Sequence, residues 1–254
     1  MLADIKDKVF VVTGSSSGIG AALALALADL GARLVLHGHH NVEGAEATKA
    51  EVEQRGGAVR LVIGDILDAG TIDRLMAEAV DGFGRLDVLV NNAGSMLGRV
   101  PIADAPAGHF EKVVDLNVRS VYDCCRAAIP QFRRQGKGNI INVTSIAGRT
   151  GGAGGAGIYG SAKAMVSSLT RAMARELAPD NIRVNAVSPG VITTPFHDRY
   201  SPPEFMEAAK GQIPMGRLGT PDDCAGAFVY FASDAMSGYV TGQILEVNGG
   251  QLMP

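Results

Sequence analysis

Short β-branched runs alternate with helix-forming stretches along nearly the whole chain, and no other feature narrows the possible folds as far. Residues 8–13, 33–37, 59–63, 86–90, 139–143, 182–187 and 243–247 read as strands. The stretches 21–28, 43–55, 71–82, 107–116, 118–135, 159–178 and 221–232 read as helices. Repeated β-α units predict a parallel sheet covered by helices on both faces, with ligands bound outside the carboxyl ends of the strands. The expected architecture is a doubly wound, Rossmann-like α/β fold of about seven strands, in one domain over residues 1–254. Polar and glycine-rich punctuation falls at the expected strand ends: Gly14, His39, Asp65, Asn91, Ser145 and Pro189.

The first such end is the most informative. Gly14-Ser15-Ser16-Ser17-Gly18-Ile19-Gly20 lies between the first strand and an alanine- and leucine-rich helix. Glycines there make a tight turn and let backbone amides approach a pyrophosphate, and the helix start adds positive potential. The spacing GxxxGxG is not the generic GxGxxG. An ordinary β-α turn explains one or two of these glycines but not all three with the serines between them.

The second strand ends in Gly38-His39-His40-Asn41, without an acid to hold a ribose 2′-hydroxyl and without an arginine for a 2′-phosphate. Glycine at 38 opens space and His39 or His40 could reach a phosphate, which tilts the reading to NADP over NAD. Two solvated loop histidines account for the pair equally well. Adjacent histidines with no third ligand do not make a metal site, and none is expected.

Totals exclude other classes. A net charge of −3 leaves no electrostatic footprint for nucleic acid or an anionic membrane. Cys124, Cys125 and Cys224 form no CxxC and read as buried small hydrophobes of a reduced compartment. The start MLADIKDKVF lacks a signal peptide's apolar core, and no apolar run approaches the ~20 residues of a membrane span. A soluble, cytoplasmic protein is expected.

Tyr159 and Lys163 stand four apart at the head of a helical stretch whose Ala162, Val166, Leu169, Met173 and Leu177 form one stripe. Such a pair shares a helix face. A lysine charge ~5 Å from the phenol, at an effective dielectric near 20, favours the phenolate by ~3 kcal/mol, or roughly two pKa units. The pair alone is weak evidence, since YxxxK arises often by chance on exposed turns.

Taken in order, the motifs TGSSSGIG (13–20), Asp65, NNAG (91–94), Asn117, Ser145, YGSAK (159–163), SPGVITTP (188–195) and VNGG (247–250) resemble the short-chain dehydrogenase/reductase family, in its compact single-domain branch. The resemblance spans residues 8 to about 250. It implies an NAD(P)-dependent oxidoreductase that interconverts a secondary alcohol and a carbonyl. Tyr159 would be the acid/base, Ser145 would donate to the substrate oxygen, Lys163 would depress the tyrosine pKa and bind ribose hydroxyls, and Asn117 would hold a proton-relaying water. Outside such a family, Asn117 after Asp115-Leu116 reads as a turn-former.

For the cofactor, the resemblance assigns Gly14, Ser16, Ser17, Gly18, Ile19 and Gly20 to the pyrophosphate. His39 falls at the cofactor-selecting strand end, and Asp65 and Ile66 at the adenine. Asn91, Ala93 and Gly94 would follow the adenine ribose, Pro189 and Gly190 would shape the nicotinamide pocket, and Ile192 and Thr194 would orient the carboxamide. Tyr159 and Lys163 would contact the cofactor as well.

Against the spacing of the family it resembles, the loop 151–157 is about one residue longer and would reshape one wall of the substrate site. Residues 196–216 are expected to form a polar lid, with Ser201-Pro202-Pro203 opening a short helix. His197 and Arg199 could bind a polyol or a carboxylate, or remain solvated. Few aromatic residues (5%, no Trp) are available to line a large apolar pocket, which favours a small polar substrate such as a sugar, polyol or hydroxy acid. The alternatives are reduction of a 3-oxoacyl thioester on an acyl carrier protein docked at Arg126, Arg133, Arg134 and Lys137, and a dinucleotide sensor without chemistry. The resemblance also suggests a homotetramer built on the faces of 118–129 and 162–177.

Overall fold

The computed structural model describes residues 2–254. Strands β1 (Val9–Val12), β2 (Arg33–Gly38), β3 (Ala58–Ile63), β4 (Val88–Asn91), β5 (Gly138–Val143), β6 (Ile182–Pro189) and β7 (Ile244–Val247) form one sheet. Its order is β3-β2-β1-β4-β5-β6-β7, and every adjacent pair is parallel. The expected doubly wound fold is therefore what the chain adopts. The order reverses between β1 and β4, so these two neighbours send their connections to opposite sides and leave a crevice at their carboxyl ends.

Burial explains why these runs are strands. β1, β5 and β6 are buried at every position, as strands sandwiched between two helix layers must be. Period-two alternation then divides each strand between two cores. Val9 and Val11 face helices α3 (Ala69–Phe83), α5 (Ser120–Gln135) and α7 (Gly157–Leu177). Phe10 and Val12 face α1 (Gly18–Asp29) and α10 (Pro221–Ala232). A fully buried aromatic such as Phe10 contributes enough that truncation to alanine costs about 3–5 kcal/mol. The remaining helices are α2 (Val42–Gln54), α4 (His109–Val114), α6 (Ala147–Thr150), α8 (Pro195–Tyr200), α9 (Pro203–Gly211) and α11 (Asp234–Ser237).

Helix ends follow local chemistry. Asn41 caps α2 by accepting from the Gly44 amide at 3.1 Å, while its own amide donates to the Ser16 carbonyl at 3.1 Å and ties the helix to the glycine loop. Asp68 starts α3 two residues before the expected position by accepting from the Gly70 amide. At α10 a capping box between Thr220 and Asp223 gives the expected bounds.

Two stretches differ from expectation. The anticipated break at residue 117 is absent: α4 runs through a π-helical turn, Asp115–Arg119, directly into α5. The extra residue of the π turn slips the phase of the hydrophobic stripe by about 100°, which in sequence looks like a break between two helices. Past Pro195 the chain forms two short helices, α8 and α9, where only the second was expected. Both follow from prolines at the first helical turn, where a missing N–H costs nothing. Among the described residues no helix is long and apolar enough to cross a membrane.

Candidate active site

The carboxyl ends of β1, β4, β5 and β6 open onto a cavity of about 540 Å³. Its floor is the glycine loop, held from three directions. Thr13 Oγ1 accepts from the amides of Asn92 and Ala93, both at 3.0 Å. The Asn92 side chain donates back to the carbonyls of Thr13 (2.9 Å) and Gly14 (2.8 Å). His37, 2% exposed on β2, accepts from the Gly14 amide through Nδ1 at 3.1 Å and bonds the Gly64 carbonyl through Nε2 at 3.0 Å. The neutral imidazole with its proton on Nε2 satisfies both contacts.

The three glycines have distinct reasons. Gly14 (φ +65°) and Gly18 (φ +57°) occupy left-handed backbone. A Cβ on Gly20 would lie 2.5 Å from the Gly14 carbonyl, so Gly20 serves close packing between helix and loop. Ser17, at the N-cap of α1, makes no side-chain capping bond, which leaves first-turn amides free to receive an anion.

Opposite the loop, α7 presents Tyr159 and Lys163 one turn apart. Lys163 is 3% exposed; its Nζ donates to the Val143 carbonyl at 2.9 Å and lies 5.7 Å from the Tyr159 ring centroid. Ser145, just beyond β5, hydrogen-bonds Tyr159 and accepts from the Ala147 amide at 3.1 Å. The Pro189 carbonyl receives the Ile146 amide at 2.9 Å and so braces the Ser145 turn from β6. Asn117 enters from the π-helical turn, fully buried. Its Nδ2 donates to the carbonyls of Ser95 (2.7 Å) and Val113 (2.9 Å), and its Oδ1 accepts from the Ser95 amide at 3.2 Å. The π turn rotates Asn117 inward toward Gly94 and Lys163, a placement common for functional residues at such turns.

Electrostatics depart from the expected arithmetic. Burial pushes the Tyr159 phenol up to about 12, against the opposing hydrogen bond from Ser145. Burial also pushes the Lys163 ammonium down to about 8. Desolvation, which disfavours both charged forms, sets the direction of both shifts, and only the Ser145 hydrogen bond acts on the phenol the other way. At neutral pH the protein alone holds Tyr159 protonated and Lys163 largely charged.

Most of the expected cofactor residues meet at the cavity. Gly14, Ser17, Gly18 and Ile19 line one side, and Ala93 and Gly94 the back. Pro189, Gly190, Ile192 and Thr194 close the other side, with Ser145, Tyr159 and Lys163 at the end. Others lie elsewhere. Ser16 turns its carbonyl to Asn41, and Gly20 is a packing glycine. His39 stacks on His40 at 3.7 Å beyond β2. Asp65 accepts from the Leu67 amide at 3.0 Å in the turn after β3, and Ile66 is buried in the core.

Asn91 is turned the wrong way for a side-chain contact: its amide donates to Cys125 Sγ (3.2 Å) and Asn142 Oδ1 (2.9 Å) inside the sheet. The neighbouring Asn92 takes the place at the loop. Reading missed Asn92, His37 and Thr13 as loop supports. The strand alternation around 86–90 could have indicated that Asn91 and Asn92 face opposite sides. Among the described residues no three His, Cys, Asp or Glu side chains converge to hold a metal ion.

The donor set fits a dinucleotide: uncapped helix amides and left-handed glycines for a pyrophosphate, and a buried ammonium with a phenol at the far end. Fold and site together define a nucleotide-dependent α/β oxidoreductase. Comparison with known proteins agrees. A family model described as Enoyl-(Acyl carrier protein) reductase matches residues 14–251. A 3-oxoacyl-[acyl-carrier-protein] reductase of Synechocystis sp. is 38% identical over 250 residues, 97% of each chain. The 3beta-hydroxysteroid dehydrogenase 1 of Eggerthella lenta is 38% identical over 255 residues, 100% of this chain and 97% of the relative. The crystal structure of an NADH-dependent reductase A1-R' responsible for alginate metabolism superposes with a TM-score of 0.90 at 37% identity, covering 99% of this chain and 100% of the other. The chain belongs to the short-chain dehydrogenase/reductase family, as an NAD(P)-dependent oxidoreductase acting on CH–OH groups.

Proposed function

We propose that this protein interconverts a secondary alcohol and a ketone on a small polar substrate (a sugar, polyol or hydroxy acid), with Tyr159 as the acid/base. The observation that supports the substrate class is a set of five polar side chains in the cavity wall, Arg99, Thr150, His197, Gln212 and Gln251, set among apolar neighbours such as Met96, Phe196 and Phe205. Residues 196–216 act as the lid. The ring of Phe196 lies 5.6 Å from that of Tyr159, so α8 sits directly over the reacting position.

The bound nicotinamide supplies or takes the hydride. In the reductive direction Tyr159 Oη–H, protonated across the neutral range, gives its proton to the substrate oxygen while Ser145 donates a hydrogen bond to the same oxygen. Lys163 has three N–H donors, and the Val143 carbonyl uses one; the other two serve ribose hydroxyls and the phenolate left behind. Asn117 fixes Ser95 and Gly94 over the lysine and thereby orders its proton-exchange path. NADP is favoured over NAD because the end of β2 offers His39 and His40 and no carboxylate.

The relatives also support the acyl-carrier reading, but the basic residues that would dock a carrier are already engaged. Arg133 pairs with Asp180 at 2.7 Å and Lys137 with Asp234 at 2.7 Å. Arg126 lies 3.5 Å from Asp123, and Arg134 bonds Gln131. A sensor without chemistry has no use for the converged Asn117, Ser145, Tyr159 and Lys163. A homotetramer is proposed from Phe110, Tyr122 and Met165, large apolar side chains left exposed on α4, α5 and α7.

The test is a binding titration with NAD(H) and NADP(H), followed by steady-state turnover of polyols, sugars, hydroxy acids, acetoacetyl thioesters and hydroxysteroids. Preference for small polar compounds is expected. Steady turnover of steroids or thioesters alone would overturn the reading.

A further inference from the structure

The glycine-rich loop before α7, the lid after β6 and the segment after β4 converge on one side chain. Arg99 Nε donates to the Tyr200 carbonyl and Nη1 to the carbonyls of Ala153 (2.8 Å) and Gly154 (3.3 Å). Nη2 donates to Ser201 Oγ at 3.0 Å, and the guanidinium lies 4.2 Å over the Phe205 ring. Four of the five N–H groups are thus engaged, all by neutral acceptors. Among the described residues no carboxylate pairs with Arg99, although most other arginines have one.

The cavity that Arg99 lines contains no aspartate or glutamate at all. Its second ionisable wall residue, His197, is held neutral near pH 7 by burial and by the Arg99 charge itself, which push it down to about 4. The remaining cation in the cavity, Lys163, is committed to Tyr159 and the Val143 carbonyl. Partial burial disfavours the Arg99 cation as well. A half-buried guanidinium with no counterion and one unused N–H is an incomplete ion pair, and a carboxylate is the partner its planar fork accepts best. Helix α8 touches both Arg99 and Tyr159, which line the same cavity: the Phe196 ring lies 5.6 Å from that of Tyr159, and the Tyr200 carbonyl accepts from Arg99.

Resting on the reading above, we propose that Arg99 receives a carboxylate of the substrate, so that the substrate is a hydroxy or oxo acid and not a neutral polyol.

The experiment compares matched pairs that differ only at C1, a carboxylate against a hydroxymethyl group, D-gluconate with D-glucitol and the corresponding four- and five-carbon aldonates with their alditols, on wild type, Arg99→Gln and Arg99→Lys. A charge-assisted contact predicts that wild type prefers the acid by about 10- to 100-fold in kcat/KM and that Arg99→Gln loses this preference, with Arg99→Lys recovering part of it. Equal losses on both members of each pair would mean that Arg99 only clasps the lid, and would overturn the proposal while leaving the small-polar reading intact. Turnover of thioesters or steroids alone removes that reading and this inference with it. Should the variants fail to fold, wild type decides: malonate, and not malonamide, should perturb the fluorescence of bound reduced cofactor, and equal effects or none refute the anion site.

Discussion

The ammonium of Lys163 donates to the backbone carbonyl of Val143 at 2.9 Å, two residues before Ser145. This bond joins the helix that carries the proposed acid/base to the strand end that leads into Ser145, the proposed donor to the substrate oxygen. It holds a cation with 3% exposure beside the phenol, in surroundings that disfavour charge on either group. The site is primed with its proton on Tyr159.

Tyr159→Phe removes only the phenolic oxygen. Turnover should fall by roughly 10²-fold or more while binding of the reduced cofactor, read by its fluorescence, stays within about threefold of wild type. Retained turnover would place the acid/base elsewhere.

Gly94 is wedged between two candidate catalytic side chains: a Cβ there would lie 2.7 Å from Asn117 Oδ1 and 3.1 Å from Lys163 Nζ. Gly94→Ala should therefore reduce kcat by about tenfold or more, because small displacements of catalytic groups are costly. Its melting temperature should fall as well, because the Asn117 side chain that must yield is buried and held by three hydrogen bonds.

Two histidines make stability fall with acid. Burial lowers His37 below its usual 6.5, with His39 acting in the same direction and Asp65 and the Gly64 carbonyl opposing. His197 is brought down to about 4. Both are neutral in the folded protein while the unfolded chain takes up protons below about 6.5, so stability is full above that pH and declines as pH falls toward 4. Protonating Nδ1 of His37 also opposes the Gly14 amide that it accepts from. Thermal melts from pH 8 to 4 should show this decline, and His37→Asn should flatten it. An identical slope in the variant would assign the effect to other groups.

The glycine-rich loop permits a paired comparison. Gly151 and Gly155 both have left-handed backbone, at φ +82° and +78°. A Cβ on Gly151 meets nothing within 4 Å, whereas one on Gly155 would lie 2.7 Å from the Val100 amide nitrogen, whose N–H bonds the Gly155 carbonyl at 2.9 Å. Gly151→Ala should cost only the backbone term, about 1–2 kcal/mol in chemical denaturation. Gly155→Ala should in addition raise the substrate KM several-fold without altering cofactor binding, as the loop separates from the Arg99 segment.

Much of this molecule is local. The strand and helix order, the glycine loop and the Tyr159–Lys163 turn follow from periodicity and turn chemistry within a few residues. Asn117 was legible by resemblance as a site residue, but its position within an unbroken helix was not, because the residue inserted by a π turn shifts the hydrophobic stripe and makes one helix read as two. Asn91 and Asn92 carry the same side chain one residue apart, and only the pleat of β4 decides which one reaches the glycine loop.

The sequence by itself determined the fold class, the nucleotide loop and the four candidate catalytic residues, since each is written in a short span of residues. Tertiary structure alone decided the rest. Burial reversed the expected direction of the Tyr159 shift, because desolvation depends on what the fold stacks around a group. Arg99 became the junction of three segments through contacts to residues 54 and 101 positions away. Neither effect has a local signature, for both arise only when distant stretches are packed around one cavity.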